Sequence, residues 1–284
     1  MTVAERDARA GRISLPKVSA HRTTSWIAFG SLLLRDLTVL RKNAIEFVVR
    51  TIMQPLLFVF VFTYVFPKIG QAVGGRGGEQ NFSTLLVPGV VAIACIFQGI
   101  QAVALPLVQD FGYSREIEDR VMAPLPVSGV AVEKVIAGAI QGLAAAAIVF
   151  PLAAVVPTTP VPLNVRPVEL AAVLVLSALL GASLGLAIGT RVNPRQVPLL
   201  FGVVVIPITF LGATYYPWAE LSPIAWLKWL VLVNPLVYMS EGFRIALTPQ
   251  YPHMPTWAVF VALVGFTAAL GVWGIRGFRS RVLS

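Results

Sequence analysis

Ionisable and metal-binding side chains are scarce in this chain. Of its 284 residues one is cysteine, two are histidine and only 12% are charged. Cys95 alone excludes an internal disulfide and any thiolate cluster, and His21 and His253 lie too far apart in sequence to suggest a paired metal site. No G-x-x-x-x-G-K-[ST] occurs, because the glycines of residues 74–78 lack the lysine and hydroxyl that cradle a phosphate. H-E-x-x-H and G-x-S-x-G are missing too, and no acidic pair or serine–histidine set falls inside an apolar run. An intramembrane enzyme would therefore lack its nucleophile and base. A carrier driven by protons or sodium is disfavoured as well, since it needs titratable or ion-coordinating groups near the bilayer midplane.

What the chain does have is apolar length. It is 57% hydrophobic with a mean hydropathy of +0.80, far from the composition of a soluble domain. Crossing the hydrocarbon core takes about 20 apolar helical residues. Six runs qualify: 44–66, 85–108, 130–156, 168–189, the shorter 197–213, and 257–275. Between the last two, residues 214–255 are apolar but carry Glu220, Lys228, Glu241 and Arg244 and are broken at Asn234-Pro235. Proline removes a helix donor and disfavours helix in the residue before it, which predicts two short helices, 223–233 and 235–247. The fold class expected is all-α membrane, with residues 1–43 as a cytoplasmic N-terminal segment and 44–284 as a six-helix transmembrane domain.

The net charge of +9 is spread over short loops and both ends, so it reads as membrane orientation rather than a nucleic-acid surface. With six crossings, seventeen of the 22 Lys and Arg residues fall on the side of the two termini. Only Lys68, Arg76, Arg166, Lys228 and Arg244 fall elsewhere, a strong positive-inside bias. A seventh crossing at 223–247 would flip the tail arginines outward. That region is thus expected to be a re-entrant or interfacial hairpin on the outer side. The polar, basic first 43 residues predict no cleaved signal and an N-terminus that stays in the cytoplasm. Within them Trp26, Phe29, Leu33, Leu37 and Leu40 form a helical stripe behind the candidate caps Thr24 and Ser25, as in a helix lying on the inner leaflet.

Residues 109–128, wedged between two spans, hold six charges. Burying them would cost about 15 kcal/mol, so the segment is aqueous. Tyr113, Ile117 and Val121 recur every four residues, Glu116 and Arg120 are spaced to pair, and Pro124 and Pro126 end the run. This predicts a short amphipathic helix outside the membrane. Its net charge is negative beside a leaflet that is itself negative, so its natural partner is a protein rather than lipid.

Inside the spans, Gln98 and Gln101 share one face of the second helix, with Gln54 and Gln141 on the first and third. They either line a translocation path or bond neighbouring helices. Gly138/Gly142 and Gly181/Gly185/Gly189 are spaced by four, allowing the third and fourth spans to approach closely, within one subunit or between two. Tyr215, Tyr216, Trp218, Trp226 and Trp229 gather at the outer boundary, as interfacial anchors or as an exit for an amphipathic substrate.

Two elements together resemble the type-2 ATP-binding-cassette permeases, which include drug, polysaccharide and lipid-linked exporters. The stretch YSREIEDRVMAPLPVS at 113–128 looks like that family's cytoplasmic coupling segment. NPLVYMSEGFR at 234–244 is similar to its N-P-L-x-x-x-x-[DE]-x-x-R element before the last span. The resemblance extends over nearly the whole chain. It implies a permease subunit of an exporter in the bacterial cytoplasmic membrane, moving a hydrophobic drug, lipid or glycolipid outward. A second permease subunit, identical or closely related, and two ATPase subunits carrying the ATP and Mg would complete the assembly. No cofactor or metal is expected in this chain, and no enzymatic activity of its own. Tyr113, Arg115, Glu116, Ile117, Glu118, Asp119, Arg120, Val121 and Pro124 become the candidates for ATPase contact. Asn234, Pro235, Glu241 and Arg244 become candidates for the outer gate, or for holding the hairpin together. Gln98, Gln101, Tyr215 and Tyr216 are candidates for the substrate path. A polysaccharide exporter, or a scaffold that binds an ATPase and moves nothing, stays open.

Overall fold

The computed structural model describes residues 22–69, 79–114, 125–157 and 161–282, which are helical with no strand. Helix α1 (Arg22–Lys42) precedes α2 (Ala44–Phe60), which continues through a π-turn (Val61–Val65) and a last turn (Phe66–Lys68). Then come α3 (Glu79–Gln109) with a π-turn at Asp110–Ser114, α4 (Val127–Val155) and α5 (Pro167–Gly189). A broken stretch follows, made of α6 (Val197–Leu200), a π-turn (Phe201–Val205) and α7 (Ile206–Phe210). The hairpin pieces α8 (Ala225–Leu230) and α9 (Pro235–Leu247) lead to α10 (Thr256–Val282).

Proline sets many of these boundaries. Pro126, in extended backbone, precedes α4, and Pro167 and Pro235 occupy first-turn positions where the missing N–H costs nothing. Two of the π-turns also end beside a proline. Pro67 and Pro207 cannot donate to the carbonyls four residues back, at Thr63 and Val203, and the helix widens in that turn. That is why the expected fifth span is not one regular helix but a series of short pieces. Helix α1 already includes Arg22, so Thr24 and Ser25 lie inside it and are not its caps.

Helices α2, α3, α4, α5 and α10 are each long and apolar enough to cross a membrane. The chain bends by 98° between residues 225–233 and Pro235–Leu247, so the pieces on either side of Asn234-Pro235 do not form one straight crossing. Helix α3 is the centre of the bundle and packs against α4, α5 and α9. Gly99 and Gly181 make this contact: a Cβ on Gly99 would stand 2.3 Å from the Gly181 carbonyl carbon, and one on Gly185 would stand 2.5 Å from the Gly99 oxygen. The glycines of the fourth span therefore admit the second span rather than chiefly the third. Gly138 and Gly142 meet Ala182 and Ala178 at the α4–α5 contact, with Val103 of α3 also against Gly138. The buried core runs from α3 outward into α9, whose residues from Pro235 to Leu247 are almost all buried.

Candidate functional site

The hairpin is organised by one buried ion pair. Asn234 caps α9 by accepting from the Leu236 N–H at 2.9 Å, and its amide donates 2.7 Å to the Ile208 carbonyl of α7. About two and three turns further along α9 come Glu241 and Arg244, both completely buried. Arg244 Nη1 donates to Glu241 Oε1 at 2.5 Å. The same oxygen accepts from the Trp218 N–H at 2.9 Å, and Oε2 accepts from the Met254 N–H at 2.8 Å. Arg244 Nη2 reaches the carbonyls of Ala213 and Tyr216 at 3.2 and 3.4 Å. Ala213 has φ of 50°, a left-handed conformation that a residue with a Cβ adopts at a cost. The ion pair thus ties together the turn after α7, the Trp218 turn, α9 and the loop into α10. Both carboxylate oxygens and both terminal guanidinium nitrogens are thus engaged in holding a shape, and only the buried Arg244 Nε is left without a partner.

Tyr215 and Tyr216 sit on the rim of this knot, half-buried. The Tyr215 ring stacks on Phe58 of α2 at 4.7 Å, and Tyr216 Oη donates to the Phe210 carbonyl at 3.4 Å. Burial pushes both phenols above their ordinary range, so they are neutral at physiological pH. Trp226 and Trp229 project outward, whereas Trp218 donates its ring N–H to the Lys228 carbonyl. Of the gate and path candidates, the structure gathers Asn234, Glu241, Arg244 and Tyr216 around one turn and leaves the glutamines elsewhere.

Gln98 is buried between helices. It accepts from the Thr51 hydroxyl of α2 at 3.3 Å and donates to Gln141 of α4 at 3.4 Å. Gln101, one turn on, is only half-buried and faces a cleft of about 1190 Å³ along α2. Lys42, Glu46 and Arg50 mark one end of that cleft; Val49, Met53, Leu57, Phe58 and Val61 carry it into the apolar zone. A second, polar cavity of about 430 Å³ adjoins it and shares Asn43, Glu46, Arg50 and Gln101. Lys134 lines this cavity and is ion-paired with Asp36 of α1, with Glu133 3.8 Å away.

Sequence reasoning missed that last cluster. Lys134 counts there as a loop charge, yet it is buried in the first turns of α4 and anchors α1 to the bundle. The signal was Glu133-Lys134 lying inside the 130–156 run. Two adjacent charges in a span need partners, and Asp36 is the odd acid on a basic helix. Of the coupling candidates, Arg115, Glu116, Ile117, Glu118, Asp119, Arg120, Val121 and Pro124 lie outside the described residues. Tyr113 falls in the Asp110–Ser114 turn that extends α3.

The family model for the ABC-2 type transporter matches residues 27–248, more than three quarters of the chain. No curated protein matches it. The match runs from α1 through the hairpin and so takes in the cleft, the central α3 contacts and the Asn234–Arg244 element in one unit. The chain belongs to the ABC-2 type transporter family and is a multi-pass membrane permease of an ABC transporter.

Proposed function

We propose that this permease exports a hydrophobic or amphipathic molecule, a drug or lipid-like compound, across a bacterial cytoplasmic membrane with both termini in the cytoplasm. The cleft along α2 is the observation that carries the reading. It is polar at the end that carries Glu46, Arg50 and Gln101 and apolar for the turns beyond, the order of groups in an amphiphile entering head first from one leaflet. Long polysaccharide fits it less well, because a sugar path is usually floored by aromatic faces, and here Phe58 and Phe62 already stack on one another at 4.4 Å.

Energy comes from two copies of a separate ATPase, which bind ATP and Mg and grip residues 113–124. A second permease subunit, the same chain or a near relative, completes the transporter. Its place is suggested by two neglected apolar faces: Ile45, Val49, Met53 and Leu57 on α2, and Leu199, Val203, Ile206 and Phe210 around α6 and α7, all exposed. Glu241 and Arg244 set the shape of the outer side, against which the path closes.

Reconstituted vesicles containing the permease and its ATPase test this directly. ATP-dependent movement of a labelled apolar dye or short-chain lipid is the expected result. An assembled complex that hydrolyses ATP and moves no amphiphile would leave the scaffold reading standing instead.

A further inference from the structure

A second polar site lies away from the cleft, where α5 ends and α10 leaves the membrane. A cavity of about 560 Å³ there is lined by Thr190, Arg191, Asn193, Arg276, Ser280 and Arg281, with Gly277 in its floor. It holds three guanidinium groups and, among the described residues that line it, no carboxylate. Three cations around one small volume repel each other unless an anion sits between them.

Two of the arginines are held in place. Arg191 donates to the Ala187 and Trp273 carbonyls at 3.2 and 3.1 Å, and its guanidinium lies 3.8 Å from the centre of the Trp273 ring. Gly277 makes room for it, since a Cβ at that position would stand 2.7 Å from Arg191 Nη1. Arg281 donates to the Val192 carbonyl and to Asn193 Oδ1, each at 3.3 Å, and lies over the Phe111 ring. Arg276 is exposed and makes no hydrogen bond or ion pair with any described residue. A rigid pair of cations with a third left free is an arrangement suited to a phosphate.

The depth of the cavity identifies the source of that phosphate. Trp257 and Trp273 are the exposed tryptophans of α10. They are sixteen positions apart, about 24 Å along a helix against a hydrocarbon core of roughly 30 Å, so the pair sits near the two edges of that core as interfacial tryptophans do. Arg276 and Ser280 lie one and two turns beyond Trp273, in the headgroup layer. A soluble anion would need no such register, whereas a lipid phosphate is always found at that level.

We propose that this cavity binds the phosphate of an anionic phospholipid and that the lipid braces the end of α10 against the end of α5. The site is independent of the transported substrate, so it survives or fails apart from the export reading.

The test uses the full-length chain, with any ATPase that accompanies it, in mild detergent mixed with equal amounts of phosphatidylglycerol and phosphatidylcholine. Lipid retained after gel filtration is then measured by mass spectrometry. Enrichment of phosphatidylglycerol is expected. Arg276→Gln should lower it roughly fivefold, the effect of removing one cation at an anionic headgroup. Ser280→Glu, an exposed position that brings a carboxylate into the cavity, should do the same without touching a structural contact. Arg166→Gln, at the opposite end of α5, should leave retention unchanged. Equal retention in wild type and both cavity variants would overturn the proposal. So would displacement of the lipid by millimolar inorganic phosphate, which would assign the site to a soluble anion. Loss of the ATPase from Arg276→Gln with lipid retention unchanged would overturn it too, in favour of a protein contact.

Discussion

At the scale of the residue, the strongest constraint is the Glu241–Arg244 pair. Both groups are desolvated, and each neutralises the other while bonding backbone from other segments. Removing one partner strands a buried charge, at a cost of about 3–5 kcal/mol. Glu241→Gln or Arg244→Met should therefore lower the thermal stability of the detergent-purified protein sharply. The double variant should lose less than the sum of the two, because it leaves no orphan charge. Additive losses would mean that the two residues act separately. Arg50 and Gln101 stand in contrast, since they face open space rather than one another's partners. Arg50→Gln and Gln101→Ala should change which amphiphiles stimulate ATP hydrolysis while leaving the melting temperature within a few degrees, a split measurable on one preparation.

Elements are joined here by close backbone approach. A Cβ on Gly89 of α3 would stand 1.9 Å from the Thr214 carbonyl oxygen, so the turn after α7 rests directly on the α3 backbone. Gly89→Ala must push that turn away, and with it the Ala213 and Tyr216 carbonyls that Arg244 holds. The expected result is faster proteolysis within 211–218 and a lower melting temperature; unchanged cleavage would contradict the packing. Asn234→Ala removes a helix cap worth about 1 kcal/mol together with the bond to α7. Much of this scale was legible in the sequence. Spans α3, α4, α5 and α10 follow their apolar runs because the lipid requirement acts on composition alone, and the Asn234-Pro235 break announces itself. What escaped was partner choice. Glycine spacing says that some helix comes close but not which, so the α3–α5 crossing could not be read from Gly181 and Gly185. Nor does a hydropathy run distinguish a charge in water from one buried with a mate, which is how Lys134 came to be counted with the loops. Of the gate and path candidates, the sequence could place only Glu241 and Arg244 side by side, because their spacing of three on one helix already makes them neighbours.

For the whole molecule, the uneven distribution of packing matters most. Helix α3 is the most enclosed span, whereas α2, α6, α7 and α10 present apolar faces to the outside. With a second permease subunit against α2, α6 and α7, Val203→Cys in a chain whose own Cys95 is buried should give an oxidised permease pair in native membranes. Val264→Cys on α10, also exposed, should not. The reverse pattern would move the subunit contact to the other side of the bundle. In the proposed assembly the remaining link, to the ATPase, runs through residues 113–124. Reversing Glu118 and Arg120 together should weaken assembly or coupling and leave membrane insertion intact. The central claim, a permease driven by a separate ATPase, is tested most directly by purifying the tagged chain in mild detergent, identifying what accompanies it and assaying ATP hydrolysis. A stoichiometric P-loop protein with vanadate-sensitive activity, released by the Glu118/Arg120 reversal, is the predicted result. The chain recovered alone from native membranes, with no ATPase activity in any fraction that contains it, would contradict the account.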